Sequence, residues 1–281
     1  MSNLYFGAAP VSFKLGLATP NNVYLGAQLI PTTPPWSPSD LGSALALWLD
    51  ADDADSVTLN GSSVSQWNDK SGNNRHASQN TATQQPLYLA NGLNGKPIVQ
   101  GDDTDDVLIG DFDVAAANDI SVVFVASGIE LRDCIFDFFS PSTGARAVNI
   151  NDVIARQSSA TLVLSNSPSV VSLTAPFLAV ATHTNSNATA QFDLKLNGGS
   201  ASFAGYPAGV STPLFTTQSF ERYALLDDSS GENAWGAGFG EYIVAVNLTA
   251  TNRQKLEGYL AHKWGLAADL PNDHPYKNSA P

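Results

Sequence analysis

The chain has 281 residues, with 13 Lys and Arg against 26 Asp and Glu, a formal net charge of −13 and 43% hydrophobic residues. That length fits one large domain with a small appendage. The charge excludes the classes that hold nucleic acid or an anionic membrane surface through Lys and Arg, and the 9% aromatic content supplies a core and excludes global disorder.

Only 14% of residues are charged, so Ser, Thr, Asn, Gln and Ala must cover most of the surface. Such a surface is common in secreted β proteins and in virion components. The amino terminus has no basic n-region, and Gly, Pro and Asn interrupt its apolar stretch, so it does not read as a signal peptide. No window of about 20 apolar residues occurs, so no membrane insertion is expected.

Residues 1 to 30 carry an approximate repeat: Leu4-Tyr5-Phe6-Gly7, Lys14-Leu15-Gly16-Leu17 and Val23-Tyr24-Leu25-Gly26. Each unit is a short β-prone run before a turn, too small to bury its own apolar side chains. Leu4, Tyr5, Leu15, Val23, Tyr24 and Leu25 are therefore expected to pack either on the main domain, as an ordinary hairpin, or against other copies of the segment. The units resemble the short LYLG-type segments near the ends of phage tail, baseplate and fibre proteins, and that resemblance implies an assembly or attachment role. Residues 31 to 38 follow with four prolines in eight residues, which forces extended backbone and predicts a semi-rigid linker.

Residues 39 to 281 read as one long all-β domain. Apolar or alternating runs occur at Leu45 to Leu49, Pro97 to Gln100, Ile120 to Ala126, Cys134 to Phe139, Ala147 to Ile150, Thr161 to Leu164, Phe177 to His183, Gln191 to Leu196, Arg222 to Leu226 and Gly240 to Val246. Turn clusters such as Asn91-Gly92, Asn94-Gly95 and Asn197-Gly198-Gly199 separate them, the punctuation of a sandwich or jelly roll. Cys134, the one cysteine, permits no intrachain disulfide and reads as a buried inert thiol. Thr251 to Gln254 has the form of a capping box, and Leu256, Tyr259, Leu260 and Trp264 follow at helical spacing, with Gly265 placed to end the helix. Lys255, Glu257 and Lys263 are expected to face solvent.

Three stretches together resemble the concanavalin A-like lectin superfamily in its laminin-G-like branch: "LWLDADDADSVTLNGSSVSQWNDKSGNNRHASQ" from Leu47, "QPLYLANGLNGKPIVQGDDTDDVL" from Gln85, and "GEYIVAVNLTATNRQKLEGYLAHKWGLAADLPNDHPY" from Gly240. The resemblance implies a two-sheet antiparallel jelly roll. The chain departs from the family at Val99-Gln100-Gly101-Asp102, where an aromatic followed by Asp and Gly is usual, which leaves the register around Gln100 open.

Glycosidases on this fold place carboxylates at alternate positions of one strand, so that one acid protonates the leaving oxygen while another acts as nucleophile or base. No Glu-x-Asp-x-Glu pattern occurs, and Glu241 has no acidic neighbour along its strand, so no enzymatic activity is expected. The four histidines lie in separate segments without zinc-ligand spacing. Calcium is the metal the sequence suggests: Asp50, Asp52, Asp53 and Asp55, then Asp69, then Asp102, Asp103, Asp105 and Asp106 crowd loops with hard oxygens. Asp52 and Asp69 are the first candidate ligands, with ordinary Asx turns as the alternative. Trp48, Trp67 and Trp264 fall in the fold-defining blocks and are expected in the core, which leaves Trp235 as the candidate sugar-stacking aromatic.

These readings converge on a phage virion protein, a fibre, spike or decoration. Residues 1 to 30 would join it to other virion proteins, and a laminin-G-like domain would contact a host-surface glycan or receptor, as a homotrimer on the particle surface. A purely architectural capsid or tail component, or a bacterial carbohydrate-binding module, is the alternative.

Overall fold

The computed structural model describes residues 35–114, 119–127, 134–140, 145–151, 154–156, 165–166, 175–184, 191–200, 203–204, 220–226, 236 and 238–281, together with four short strands nearer the N terminus. The chain divides into two compact units, Met1–Pro35 and Trp36–Pro281.

In the first unit β1 (Leu4–Phe6) pairs antiparallel with β2 (Ala9–Val11), and β3 (Val23–Leu25) with β4 (Gln28–Ile30). The first and third sequence repeats thus each open a two-stranded ladder. Pro10 sits opposite Tyr5, a place proline can take because a two-stranded sheet has an outer edge that needs no donor. Leu4, Tyr5, Val23, Tyr24 and Leu25 lie on these strands, and Leu15 lies outside the described residues.

The second unit contains β5 (Leu45–Asp50), β6 (Val57–Asn60), β7 (Ser63–Trp67), β8 (Ala77–Ser78), β9 (Leu87–Leu93), β10 (Lys96–Gln100), β11 (Leu108–Val114), β12 (Ile120–Ser127), β13 (Cys134–Ser140), β14 (Ala145–Asn151), β15 (Ile154–Arg156), β16 (Ser165–Asn166), β17 (Phe177–Thr184), β18 (Gln191–Leu196), β19 (Gly199–Ser200), β20 (Phe203–Ala204), β21 (Phe220–Leu225) and β22 (Gly238–Val246). One α-helix among the described residues, α1 (Ala250–Lys263), follows the last strand. Among the described residues β16 pairs with β20, and the rest form one antiparallel ribbon in the order β15-β14-β13-β21-β11-β8-β7-β9-β10-β22-β12-β17-β18-β19, with β5 alongside β22 and β6 alongside β7. The chain is therefore all-β with one C-terminal helix.

The central strands are apolar on both faces because both faces are covered. On β12, Ile120, Val122, Phe124 and Ala126 enter one apolar cluster while Val123 and Val125 enter another, and β17 divides in the same way. Trp67, Phe112, Phe138, Tyr223 and Leu225 from β7, β11, β13 and β21 complete the first cluster, so the two halves of the ribbon share one core. Leu256, Leu260, Ala261 and Trp264 complete the second, where α1 lies over β5, β12, β17 and β22. Each of the larger apolar side chains among them, fully buried, contributes about 1.5–3 kcal/mol before its ordering entropy is counted.

Three expectations are corrected here. The helix is capped by Thr249, whose hydroxyl accepts from the Asn252 amide at 3.2 Å, so Thr251 to Gln254 lies inside the first turns. Glu257 does not face solvent: the tail after α1 returns along the helix and covers it, with His274 Nε2 at 3.1 Å and Arg253 on its other oxygen. His274 Nδ1 accepts the Tyr276 amide, so its Nε2–H donates to Glu257, and Tyr276 lies so close that a Cβ on Gly258 would stand 2.5 Å from it. Lys263 also turns inward, as described below. Gly265, at φ +72°, ends the helix as its position predicts.

Strands β6, β7, β9 and β11 carry no run singled out in the sequence, and the expected strand at Thr161 to Leu164 lies outside the described residues. Trp36 and Pro38, read as linker, pack on the second unit instead. Trp36 meets Tyr259 edge-on at 6.1 Å, and Pro38 is buried at the start of a 3₁₀ segment, Pro38–Ala44.

Candidate functional site

The densest chemistry among the described residues lies where β5 and β22 run side by side. Glu241 stands directly opposite Asp50 in that ladder. Gly240 precedes Glu241, and a Cβ there would lie 2.6 Å from the Trp264 ring, so the glycine lets the indole approach the strand. Trp264 Nε1 then donates to Glu241 Oε2 at 2.9 Å, and Trp48 Nε1 donates to Oε1 at 2.7 Å.

Lys263, the last residue of α1, reaches into the same place. Its Nζ donates to Glu241 Oε2 at 2.7 Å, to Asp50 Oδ1 at 2.6 Å and to the Tyr259 hydroxyl at 3.3 Å. Lys70 approaches from the opposite side, with Nζ 2.8 Å from Asp50 Oδ2 and 2.7 Å from Asp53 Oδ2, over the Trp48 ring at 4.3 Å. Glu241 is 0% exposed and Asp50 3%. Charges taken this far out of water are tolerable only when their oxygens and protons are met, which two lysines and two indoles achieve here.

The electrostatics follow from burial. Desolvation raises the Glu241 carboxyl above its ordinary range, the neighbouring charge of Asp50 pushes the same way, and Lys263 opposes both. Burial likewise raises the Tyr259 hydroxyl, assisted by Glu241 and Asp50. Asp53, at the wetter end, is lowered by its hydrogen bond to Lys70.

The loop from Asp69 to Arg75 closes the outer edge of β5. Lys70 N donates to the Trp48 carbonyl at 2.7 Å, Arg75 Nη1 to the Ala46 carbonyl at 2.7 Å, and Asn73 Nδ2 to the Leu45 carbonyl at 2.9 Å, so the free edge is spent on side chains and backbone of its own chain. Asp69 organises this loop. Its carboxylate accepts from the amides of Trp48, Ser71 and Arg75 and from the Ser71 hydroxyl, at 2.7 to 3.0 Å. Asp52 instead pairs with Lys96 Nζ at 2.6 Å. Asp52 and Asp69, the first candidate calcium ligands, thus belong to different hydrogen-bonded groups.

Among the described residues, a group of three acids converges at Asp102, Asp105 and Asp106, with carboxylate oxygens within 4.8 Å of one another. Asp102 Oδ1 accepts from the amides of Thr104 and Asp105, the bonds of an Asx turn. Burial, with the charges of Asp102 and Asp105, pushes Asp106 up to about 6. Trp235 lies outside the described residues, while Trp48, Trp67 and Trp264 are buried as expected.

No protein-family model and no curated protein matches the chain. Among solved structures it aligns with a Trypanosoma rangeli sialidase in complex with 2,3-difluorosialic acid, at 14% identity over 72% of this chain and 31% of that one, TM-score 0.41. An arabinofuranosidase complexed with arabinofuranosyl-α-1,2-xylobiose aligns at 13% identity over 69% of this chain and 50% of that one, TM-score 0.47. Domain 4 of AbnA, an extracellular GH43 arabinanase from Geobacillus stearothermophilus in complex with arabinotriose, aligns at 13% identity over 76% of this chain and 98% of that one, TM-score 0.46. The chain thus spans a third to a half of the sialidase and the arabinofuranosidase. The presence of such enzymes corrects the expectation of no enzymatic activity, which no longer stands as an exclusion. Glu241 has no acidic neighbour along its own strand and finds one, Asp50, across the ladder.

Proposed function

We propose that the chain is a phage virion protein that displays a concanavalin A-like, laminin-G-like two-sheet jelly roll for contact with a host-surface glycan or receptor. The observation that carries the reading is the division of the chain into a small unit with two hairpins of three-residue strands and a large β unit. Ladders that short need an external surface to be stable, and attachment to other virion proteins or to sibling copies supplies one. The low charge and acidic balance of the whole chain suit an exposed particle surface, and the resemblance in the three long sequence blocks supports the jelly roll and its sugar-binding use.

Light scattering on the full chain beside a chain starting at Trp36 tests the attachment half. A trimer that becomes a monomer on truncation supports it, and two monomers overturn self-assembly through the repeats. A glycan array with and without calcium tests the other half, using a panel that includes arabinotriose and sialosides. Retention of a glycan supports display for host contact, and no retention in either condition leaves the architectural role in its place.

A further inference from the structure

We propose that Lys263 and Asp50 become joined by an intramolecular isopeptide bond, formed within the folded second unit with Glu241 as the catalytic carboxylate. This goes beyond the attachment reading and does not depend on it.

The geometry presents the three reacting groups together. Lys263 Nζ stands 2.6 Å from Asp50 Oδ1 and 2.7 Å from Glu241 Oε2, so nucleophile, electrophile and proton carrier are already in contact. The side chains of Asp50, Glu241 and Lys263 are 5%, 0% and 17% exposed, and the indoles of Trp48 and Trp264 close over them. Excluding water weakens the preference for separated ions, which favours proton transfer from the ammonium to a carboxylate and protects the amide once it exists.

The two carboxylates are dressed differently, and the difference assigns their roles. Glu241 is held through both oxygens by indole N–H groups, and its carboxyl is raised by burial, which suits it to accept and return a proton. Asp50 has Lys70 Nζ at 2.8 Å on Oδ2, a cation placed where negative charge grows when its carbon is attacked. Lys70 is less suited as the nucleophile. It shares its Nζ with Asp53, whose side chain is 36% exposed and solvated.

The step balances within the protein. A proton passes from the Lys263 ammonium to Glu241, and the amine lone pair attacks Asp50 Cγ while Lys70 holds the charge on Oδ2. The nitrogen gives a second proton to Oδ1, Glu241 returns the first to the same oxygen, and the C–O bond breaks to release water. One ammonium and one carboxylate are consumed, one amide and one water are formed, and Glu241 and Lys70 end as they began. The bond would tie β5 to the end of α1 across 213 positions of sequence, a closure that the single Cys134 cannot supply as a disulfide.

Mass spectrometry of the full chain, folded at neutral pH and then denatured, tests this. The expected result is a mass lower than that of the sequence by one water, with a proteolytic peptide pair joined between Asp50 and Lys263. Glu241→Gln is expected to keep the folded circular dichroism spectrum and to show the full mass, and Lys263→Arg likewise. A folded wild-type chain at full mass overturns the proposal, as does water loss without the joined peptide pair, or a joined pair that uses Lys70 or Glu241 instead. The wild-type measurement decides the matter even if a variant fails to fold.

Discussion

Asp50 with Glu241 and Asp102 with Asp105 and Asp106 are two groups of crowded carboxylates in one molecule, yet their surroundings differ. In the first, Lys70, Lys263, Trp48 and Trp264 meet the oxygens of a nearly water-free pair. In the second the bonds recorded at Asp102 are backbone amides of the same turn, and Asp106 is raised to about 6. The first joins a helix end, a strand end and a loop, whereas the amide bonds to Asp102 Oδ1 stay within one turn. A buried acid therefore holds tertiary structure together here when its partners come from distant segments, because those partners must be carried in by folding.

Lys263→Met breaks this contrast most severely. It leaves Asp50 and Glu241 short of a cation inside the protein and removes the nitrogen of the proposed amide, and urea denaturation is expected to show a loss of at least about 3–5 kcal/mol. Gly240→Ala tests the approach of Trp264 to Glu241: a Cβ would stand 2.6 Å from the indole, and overpacking of this kind costs about 1–3 kcal/mol. Trp264→Phe keeps most of the packing and removes the hydrogen bond to Glu241 Oε2, with a loss of about 1–2 kcal/mol expected in the same assay.

Asp106→Asn acts on the other group and in the opposite direction. A carboxyl raised from 3.8 to about 6 in the folded chain binds protons more tightly there than in the unfolded chain. Its unfavourable contribution is fully present above about pH 6 and fades as the pH falls toward 4. Stability curves at pH 7 and pH 4 should show the variant more stable at pH 7 and nearly equal at pH 4. An equal stability at both would place Asp106 in a wetter site than its 4% exposure indicates. The smallest change expected is from Lys96→Ala, which removes a half-exposed pair with Asp52. Loss of such a pair is worth about 0.2–1 kcal/mol and is weakened by salt.

Much of the β architecture was legible because burial on one or both faces writes itself into the run of residues. Gln191 to Leu196 coincides with β18, and Ile120 to Ala126 with β12 to within one residue. Strand β7 was not legible, since Ser63-Val-Ser-Gln-Trp is half polar and becomes a strand by pairing with β6, β8 and β9. The candidate site was legible only in pieces. Trp48 and Trp264 could be placed in the core from their blocks, but Trp48 and Glu241, hydrogen-bonded at 2.7 Å, lie 193 positions apart.

By itself the amino-acid sequence determined what depends on neighbouring residues: the apolar strand runs, the glycine that ends α1, the all-β character and the acidic, low-charge surface. Tertiary structure alone decided the fate of the charged side chains. Glu257 and Lys263 are expected at water because they are charged, although helical spacing sets Lys263 between Tyr259 and Leu260 and Glu257 beside Leu260 and Trp264, and both lie inward. The returning tail brings His274 to Glu257, and the β5–β22 ladder brings Asp50 and Glu241 to Lys263. Helical periodicity records which side of a helix is apolar, whereas the burial of a charge depends on partners that arrive from elsewhere in the chain.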